Sequence, residues 1–115
     1  MHGRTMPRSA FSTPTSGGQE DHVSMGATAS WNLLQSSKHL SQVLACELMI
    51  ACEALEYRSD DPADHVKSLY RLVRSICPPL TEDRSTSKEI ECIAEELSNG
   101  RWLARIEAEC GRMPR

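Results

Sequence analysis

Gln42-Val43-Leu44-Ala45-Cys46-Glu47-Leu48-Met49-Ile50-Ala51-Cys52-Glu53-Ala54 is the stretch that decides the fold. Only Glu47 and Glu53 are charged in it, and wound as an α-helix it is apolar around most of its circumference. A surface helix carries one apolar stripe, whereas a helix apolar nearly all round is covered by neighbours on several sides. Leu33, Leu34 and Leu40 extend the pattern backwards and Leu55 extends it forwards, with no proline and with Gly26 as the one interior glycine. The sequence thus predicts one helix from about Asp21 or Val23 to Tyr57. At 1.5 Å per residue, about 35 residues make a rod of roughly 50 Å. The residues that follow are too few to bury such a rod, which implies self-association into a helical oligomer that buries residues 40–55.

Beyond the rod, Ser59-Asp60-Asp61-Pro62 breaks the helix. Pro62 suits a first helical position with Asp61 as its N-cap. Val66, Leu69, Tyr70, Val73 and Ile76 recur at three- and four-residue spacing, predicting a second, amphipathic helix over 63–76. Cys77-Pro78-Pro79 ends it. Thr86 and Glu89 have capping-box spacing, and Ile90, Ile93, Ala94 and Leu97 mark a third helix that stops at Asn99-Gly100. A short fourth segment, Arg101 to Cys110, is anchored by Trp102, Leu103 and Ile106. Strand-like alternation is absent, so the class is all-α: one long bundle helix followed by two or three shorter ones.

Composition narrows the function. At 115 residues the chain has room for one small domain, and a net charge of −3 gives no basic face for nucleic acid. Aromatic residues make up 4%, little for a self-contained core. The five cysteines (Cys46, Cys52, Cys77, Cys92, Cys110) form no C-x-x-C pair and no zinc-type cluster with histidine, which excludes a metal site and fits reduced thiols packed as small hydrophobes. No apolar run follows Arg4 and Arg8, so no signal peptide is predicted. No uncharged window approaches the ~20 residues of a membrane span. The expected location is the cytoplasm.

Upstream, residues 1–18 form an irregular lead-in punctuated by Pro7, Pro14 and Gly17-Gly18; residues 1–10 read as a disordered tail. Residues 19–58 then hold the chemically loaded motif and the long helix, and 59–115 the C-terminal helical segment. Ser16 and Gln19 have capping-box spacing, which would put Glu20 and Asp21 in a first turn, where the helix dipole stabilises anions. Helix-start duty alone would therefore account for this acidic pair. His22 reads as an interface residue, His39 and His65 as solvated or packed, and His2 lies in the tail. The Gly17-Gly18 pair lacks the strand and lysine of a phosphate loop.

Thr13-Pro14-Thr15-Ser16-Gly17-Gly18-Gln19-Glu20-Asp21-His22-Val23-Ser24-Met25-Gly26 resembles the signature near the carboxyl-terminal part of histidine ammonia-lyases, in the aromatic amino acid lyase family. The likeness is close over 11–58 and extends by helix layout to 109. It implies a piece of a fumarase/aspartase-like helical bundle. It also implies that Glu20 is the catalytic, substrate-binding glutamate facing the imidazole of L-histidine, with Gln19 beside it lining the same pocket. A carboxylate there makes a charge-assisted hydrogen bond to an imidazole N–H. Other aromatic lyases tend to carry a neutral residue at the Glu20 position, so the acid favours histidine, although related aminomutases also carry an acid there.

The family's electrophile, a methylidene-imidazolone ring, forms from an internal Ala-Ser-Gly. That tripeptide does not occur here: Ala29-Ser30 is followed by Trp31, and Ser16-Gly17 is preceded by Thr15. The expectation is therefore a fragment or split subunit of a histidine-catabolic lyase, not active alone and with no cofactor of its own. It would act in trans with a larger lyase subunit, eliminating ammonia from L-histidine to give urocanate. A non-catalytic helical oligomerisation or interaction module is the alternative.

Overall fold

Met25 sets where the long helix begins. Its φ of +55° lies in the left-handed region, which a right-handed helix of L-residues cannot include, and its carbonyl accepts the N–H of Ala29 at 3.0 Å. Helix α2 accordingly spans Gly26–Leu55, five residues later than the earliest start expected and two short of Tyr57. Its 30 residues give a rod of about 45 Å. At the far end, i to i−3 bonds from Glu56, Tyr57 and Arg58 tighten the chain out of the helix.

The computed structural model describes residues 2–112. Met1 and residues 113–115, at the ends of the lead-in and of the C-terminal segment, lie outside them. Every regular element among the described residues is helical, so the protein is all-α. The lead-in holds α1 (His2–Thr5) and two 3-10 turns, Arg8–Phe11 and Ser16–Gly18. After α2 come α3 (Asp64–Arg74), α4 (Ser87–Asn99) and α5 (Arg101–Cys110). No described helix is long and apolar enough to cross a membrane.

The chain divides into two compact units, residues 1–39 and 40–115. In the second, Ala45, Met49 and Cys52 recur at i, i+4 and i+7 along α2 and form one buried stripe. They share a core with Leu72 and Val73 of α3, Cys77, Ile93 and Ala94 of α4, and Trp102 and Ile106 of α5. Other apolar residues of this part of α2 lie outside the core: Leu40, Val43, Leu44 and Ile50 are all exposed, Ile50 at 69%.

Two expected caps differ. The N-cap of α3 is Ala63, without a side-chain cap; Asp61 instead accepts from Lys67 Nζ at 2.6 Å. Thr86 is the N-cap of α4, as its position suggested, but makes no side-chain cap bond. Glu89, its expected partner, pairs with Arg84 instead. In both places the carboxylate meets a nearby cation in a charge-assisted contact. Gly100, at φ +70°, closes α4 and starts α5 in one residue, a left-handed position that suits glycine.

Two buried or partly buried polar groups of the second unit are paired across helices. Ser68, 2% exposed, donates to Glu109 Oε2 at 2.5 Å and holds that carboxyl below its usual range. Arg74, with a side chain 10% exposed, bridges Glu53 at 2.7 Å and Glu56 at 2.9 Å. Its guanidinium lies over the Tyr70 ring at 5.3 Å.

Candidate functional site

The acidic pair does not sit in a helical turn. Ser16, Gly17 and Gly18 all have positive φ, turning the chain back on itself well before α2 begins at Gly26. The carbonyl of Thr15 accepts the N–H of Gly18 at 3.0 Å and of Glu20 at 3.4 Å, and Thr15 and Glu20 form an isolated antiparallel bridge. Ser16 contributes its carbonyl to Gln19 N–H at 3.3 Å, so the Ser16–Gln19 spacing belongs to a tight 3-10 turn and not to the cap of a helix. Helix-start duty therefore cannot explain Glu20 and Asp21.

The Thr15 hydroxyl reaches across this turn and donates to Glu20 Oε2 at 2.5 Å. His22 Nδ1 lies 3.2 Å from the carbonyl oxygen of Ser12, tying the motif to the segment before it. Gln19, Glu20, Asp21 and His22 are all exposed. A carboxylate in this setting has two features that bear on recognition. Its position is fixed by the turn and the threonine, but its ionic attraction is diluted by water. Discriminating binding of a small ligand buries most of that ligand's surface, so this exposed turn does not by itself enclose a ligand.

The same unit contains a cleft of about 340 Å³ lined in part by Arg4, Met6, Arg8, Asn32 and Leu33. It shares no residue with the Glu20 turn and is a gap between the lead-in and α2. Asn32, 8% exposed, faces the Arg8 guanidinium with its side-chain amide, whose oxygen accepts from Nη2 at 2.7 Å in the amide orientation that satisfies both groups, and the Arg8 guanidinium sits 6.0 Å from the Phe11 ring centre. The lead-in is thus tied down by contacts that no local pattern announces.

His39 and His65 lie outside this motif, and the enclosed Nδ1 of His39 has no hydrogen-bond partner among the described residues. His39 is half-buried, and His65 Nε2 lies 3.2 Å from the Gly111 carbonyl. The cysteines are free: Cys52 and Cys77 are buried, Cys46 and Cys110 half-buried, and Cys92 exposed. Burial pushes the Cys52 thiol above its ordinary value, which suits packing and opposes thiolate chemistry. Among the described residues, no group of three His, Cys, Asp or Glu side chains could hold a metal ion.

The residue that sequence reasoning missed is Thr15. Its signal was available, because a threonine ahead of Ser-Gly-Gly is placed for a turn in which the hydroxyl competes for local partners.

Residues 1–75 match the family profile of the aromatic amino acid lyases. The chain is 39% identical over 108 residues to the histidine ammonia-lyase of Gloeobacter violaceus, covering 93% of this chain and 21% of that protein. It is 43% identical over 103 residues to that of Caenorhabditis elegans, covering 85% of this chain and 15% of the other. The crystal structure of histidine ammonia-lyase from Trypanosoma cruzi superimposes with a TM-score of 0.82 at 30% identity, over 93% of this chain and 21% of that one. The chain therefore corresponds to a portion of these lyases, and from the lead-in through α3 it belongs to the aromatic amino acid lyase family.

Proposed function

We propose that residues 12–26 form one wall of an active site that eliminates ammonia from L-histidine to give urocanate. Glu20 accepts a hydrogen bond from the substrate imidazole, and Gln19 stands beside it. The observation that carries this is the Thr15–Glu20 turn, which holds a carboxylate outside the helix at 2.5 Å from a fixed donor. An acid spent on capping α2 would lie in the helix's first turn. The relatives named above support the choice of histidine, since both curated proteins and the solved structure are histidine ammonia-lyases. Exposed, Glu20 recognises little; enclosed by further chain, the same contact strengthens as water leaves.

The electrophile of this chemistry has no precursor in the sequence. Ala29-Ser30 lies inside α2, followed by Trp31, and its backbone is committed to the helix. The residues present do not fit a methylidene-imidazolone, and no step of the reaction is assigned to them through that group. In this proposal the electrophile comes from lyase sequence outside these 115 residues, in the same polypeptide or in another, and the work is done in the cytoplasm, whose reducing conditions suit the free thiols. What the chain contributes is orientation of the imidazole and, through α2, association with the rest of the enzyme or with further copies of itself.

A second reading is a helical interaction module with no part in turnover, favoured by the exposed apolar residues Leu40, Val43, Leu44 and Ile50 on α2. Glu20→Gln separates the two. The chain is isolated from its host with whatever copurifies, and urocanate formation is followed by absorbance. Loss of a charge-assisted hydrogen bond lowers kcat/KM about ten- to hundredfold in the catalytic reading. Unchanged turnover of histidine by the assembled Glu20→Gln enzyme would leave the interaction module standing alone.

A further inference from the structure

We infer that Thr15 is the positioning residue for Glu20, acting on the substrate imidazole only through that carboxylate. The inference rests on the reading of Glu20 as the group that faces substrate.

A glutamate on an exposed turn has three side-chain torsions to fix before it can meet a ligand in one geometry, and fixing them costs rotamer entropy. Thr15 removes part of that freedom in advance. Its carbonyl receives the N–H groups of Gly18 and Glu20 at 3.0 and 3.4 Å, so its backbone is pinned to that of Glu20. Its hydroxyl then donates to Glu20 Oε2 at 2.5 Å. Being β-branched, threonine has few χ1 choices, and a hydroxyl has a single proton to give. With that proton committed to Oε2, no hydrogen bond among the described residues reaches Oε1, which is the oxygen on which an imidazole N–H can land. Pre-organisation of this kind raises affinity without adding a contact to the ligand.

The positive φ values of Ser16, Gly17 and Gly18 are what allow it. They return the chain sharply enough for residues five apart to bridge. Thr15 is itself exposed and serves no packing purpose in the core.

The test uses the full chain and two variants, Thr15→Val, which keeps the shape and removes the hydroxyl, and Thr15→Ser, which restores it. Three-bond NMR couplings report the Glu20 χ1 population, and slow exchange of the Gly18 and Glu20 amides reports that the turn persists. The expected result is one dominant Glu20 rotamer in the unaltered chain, averaging in Thr15→Val with the turn intact, and recovery in Thr15→Ser. Averaging already in the unaltered chain, or a single rotamer in Thr15→Val, overturns the inference. In the assembled enzyme Thr15→Val lowers kcat/KM for histidine about five- to tenfold and Thr15→Ser brings it back to within about twofold, in keeping with a neutral donor removed from a charged acceptor. Failure of the underlying reading has a different signature: rotamers follow Thr15 as stated, yet Glu20→Gln leaves turnover unaltered.

Discussion

Arg74 Nη1 donates to Glu53 Oε1 across 2.7 Å, joining the last residue of α3 to the last turn of α2. The same carboxylate oxygen accepts the backbone N–H of Leu80 at 3.3 Å, so Glu53 also holds the turn that follows α3. Hydrogen bonding and charge from Arg74 hold the Glu53 carboxyl below its ordinary value of 4.5. For Arg74, burial opposes the charge, but Glu53 and Tyr70 outweigh it and keep the guanidinium protonated throughout the accessible pH range.

The pH dependence follows. A carboxyl whose folded value is lowered contributes stability that is complete above its unfolded value and disappears as pH falls through the folded one. Urea denaturation should therefore show a constant contribution at pH 6–7 that fades below about pH 4.5. Glu53→Gln should be less stable at neutral pH and show a shallower loss in acid. Arg74→Met strands Glu53 and Glu56 and should cost about 2 kcal/mol at pH 7. Equal acid sensitivity in Glu53→Gln and the unaltered chain would remove Glu53 from the explanation.

Gly100 offers a cleaner backbone test. A Cβ at this position meets nothing within 4 Å, so any cost of Gly100→Ala comes from the φ of +70° and not from a clash. The expected loss is about 1 kcal/mol by urea unfolding, with Gly100→Asn losing less because asparagine tolerates the left-handed region.

Thiol accessibility should follow burial. Cys92 is exposed, whereas Cys52 and Cys77 are 3% and 1% exposed. With an excess of a maleimide at neutral pH, mass spectrometry should find Cys92 modified first. Cys52 and Cys77 should react only as the second unit opens, with rates that rise in sub-denaturing urea. Early labelling of Cys52 would contradict the packing of α2 against α3 to α5.

Much of this fold is visible in the sequence, because apolar spacing survives folding. The periodicity of Ile90, Ile93, Ala94 and Leu97 locates α4, and Asn99-Gly100 marks its end. What misleads is local chemistry with two physical solutions. Ser16–Gln19 and Thr86–Glu89 have cap spacing, yet one becomes a 3-10 turn and the other yields its glutamate to Arg84. The start of α2 at Gly26 depends on Met25 adopting a left-handed φ, for which methionine carries no signal. Arg8 and Asn32 lie too far apart in sequence for any period to connect them. The motif holding Gln19 and Glu20 is visible in the sequence, and Thr15 ahead of Ser-Gly-Gly signals a turn, but its pairing with Glu20 emerges only when that turn is seen closed.

The exposed side of α2 in the second unit yields the last expectation. Val43 and Ile50 lie one heptad apart, at 56% and 69% exposed, on a helix whose buried stripe is already filled by Ala45, Met49 and Cys52. Burying two such side chains against a second copy or the rest of a lyase contributes about 1.5–3 kcal/mol each. Replacing both with glutamate forfeits that gain and adds charges that resist desolvation. Val43→Glu/Ile50→Glu should thus fold with unaltered helical circular dichroism while weakening association at least about a hundredfold. Sedimentation velocity over a range of concentrations, alone and with any copurifying protein, reads this directly. An association constant that ignores both charges would mean that α2 meets its partner through another face, or that this side of it remains in water.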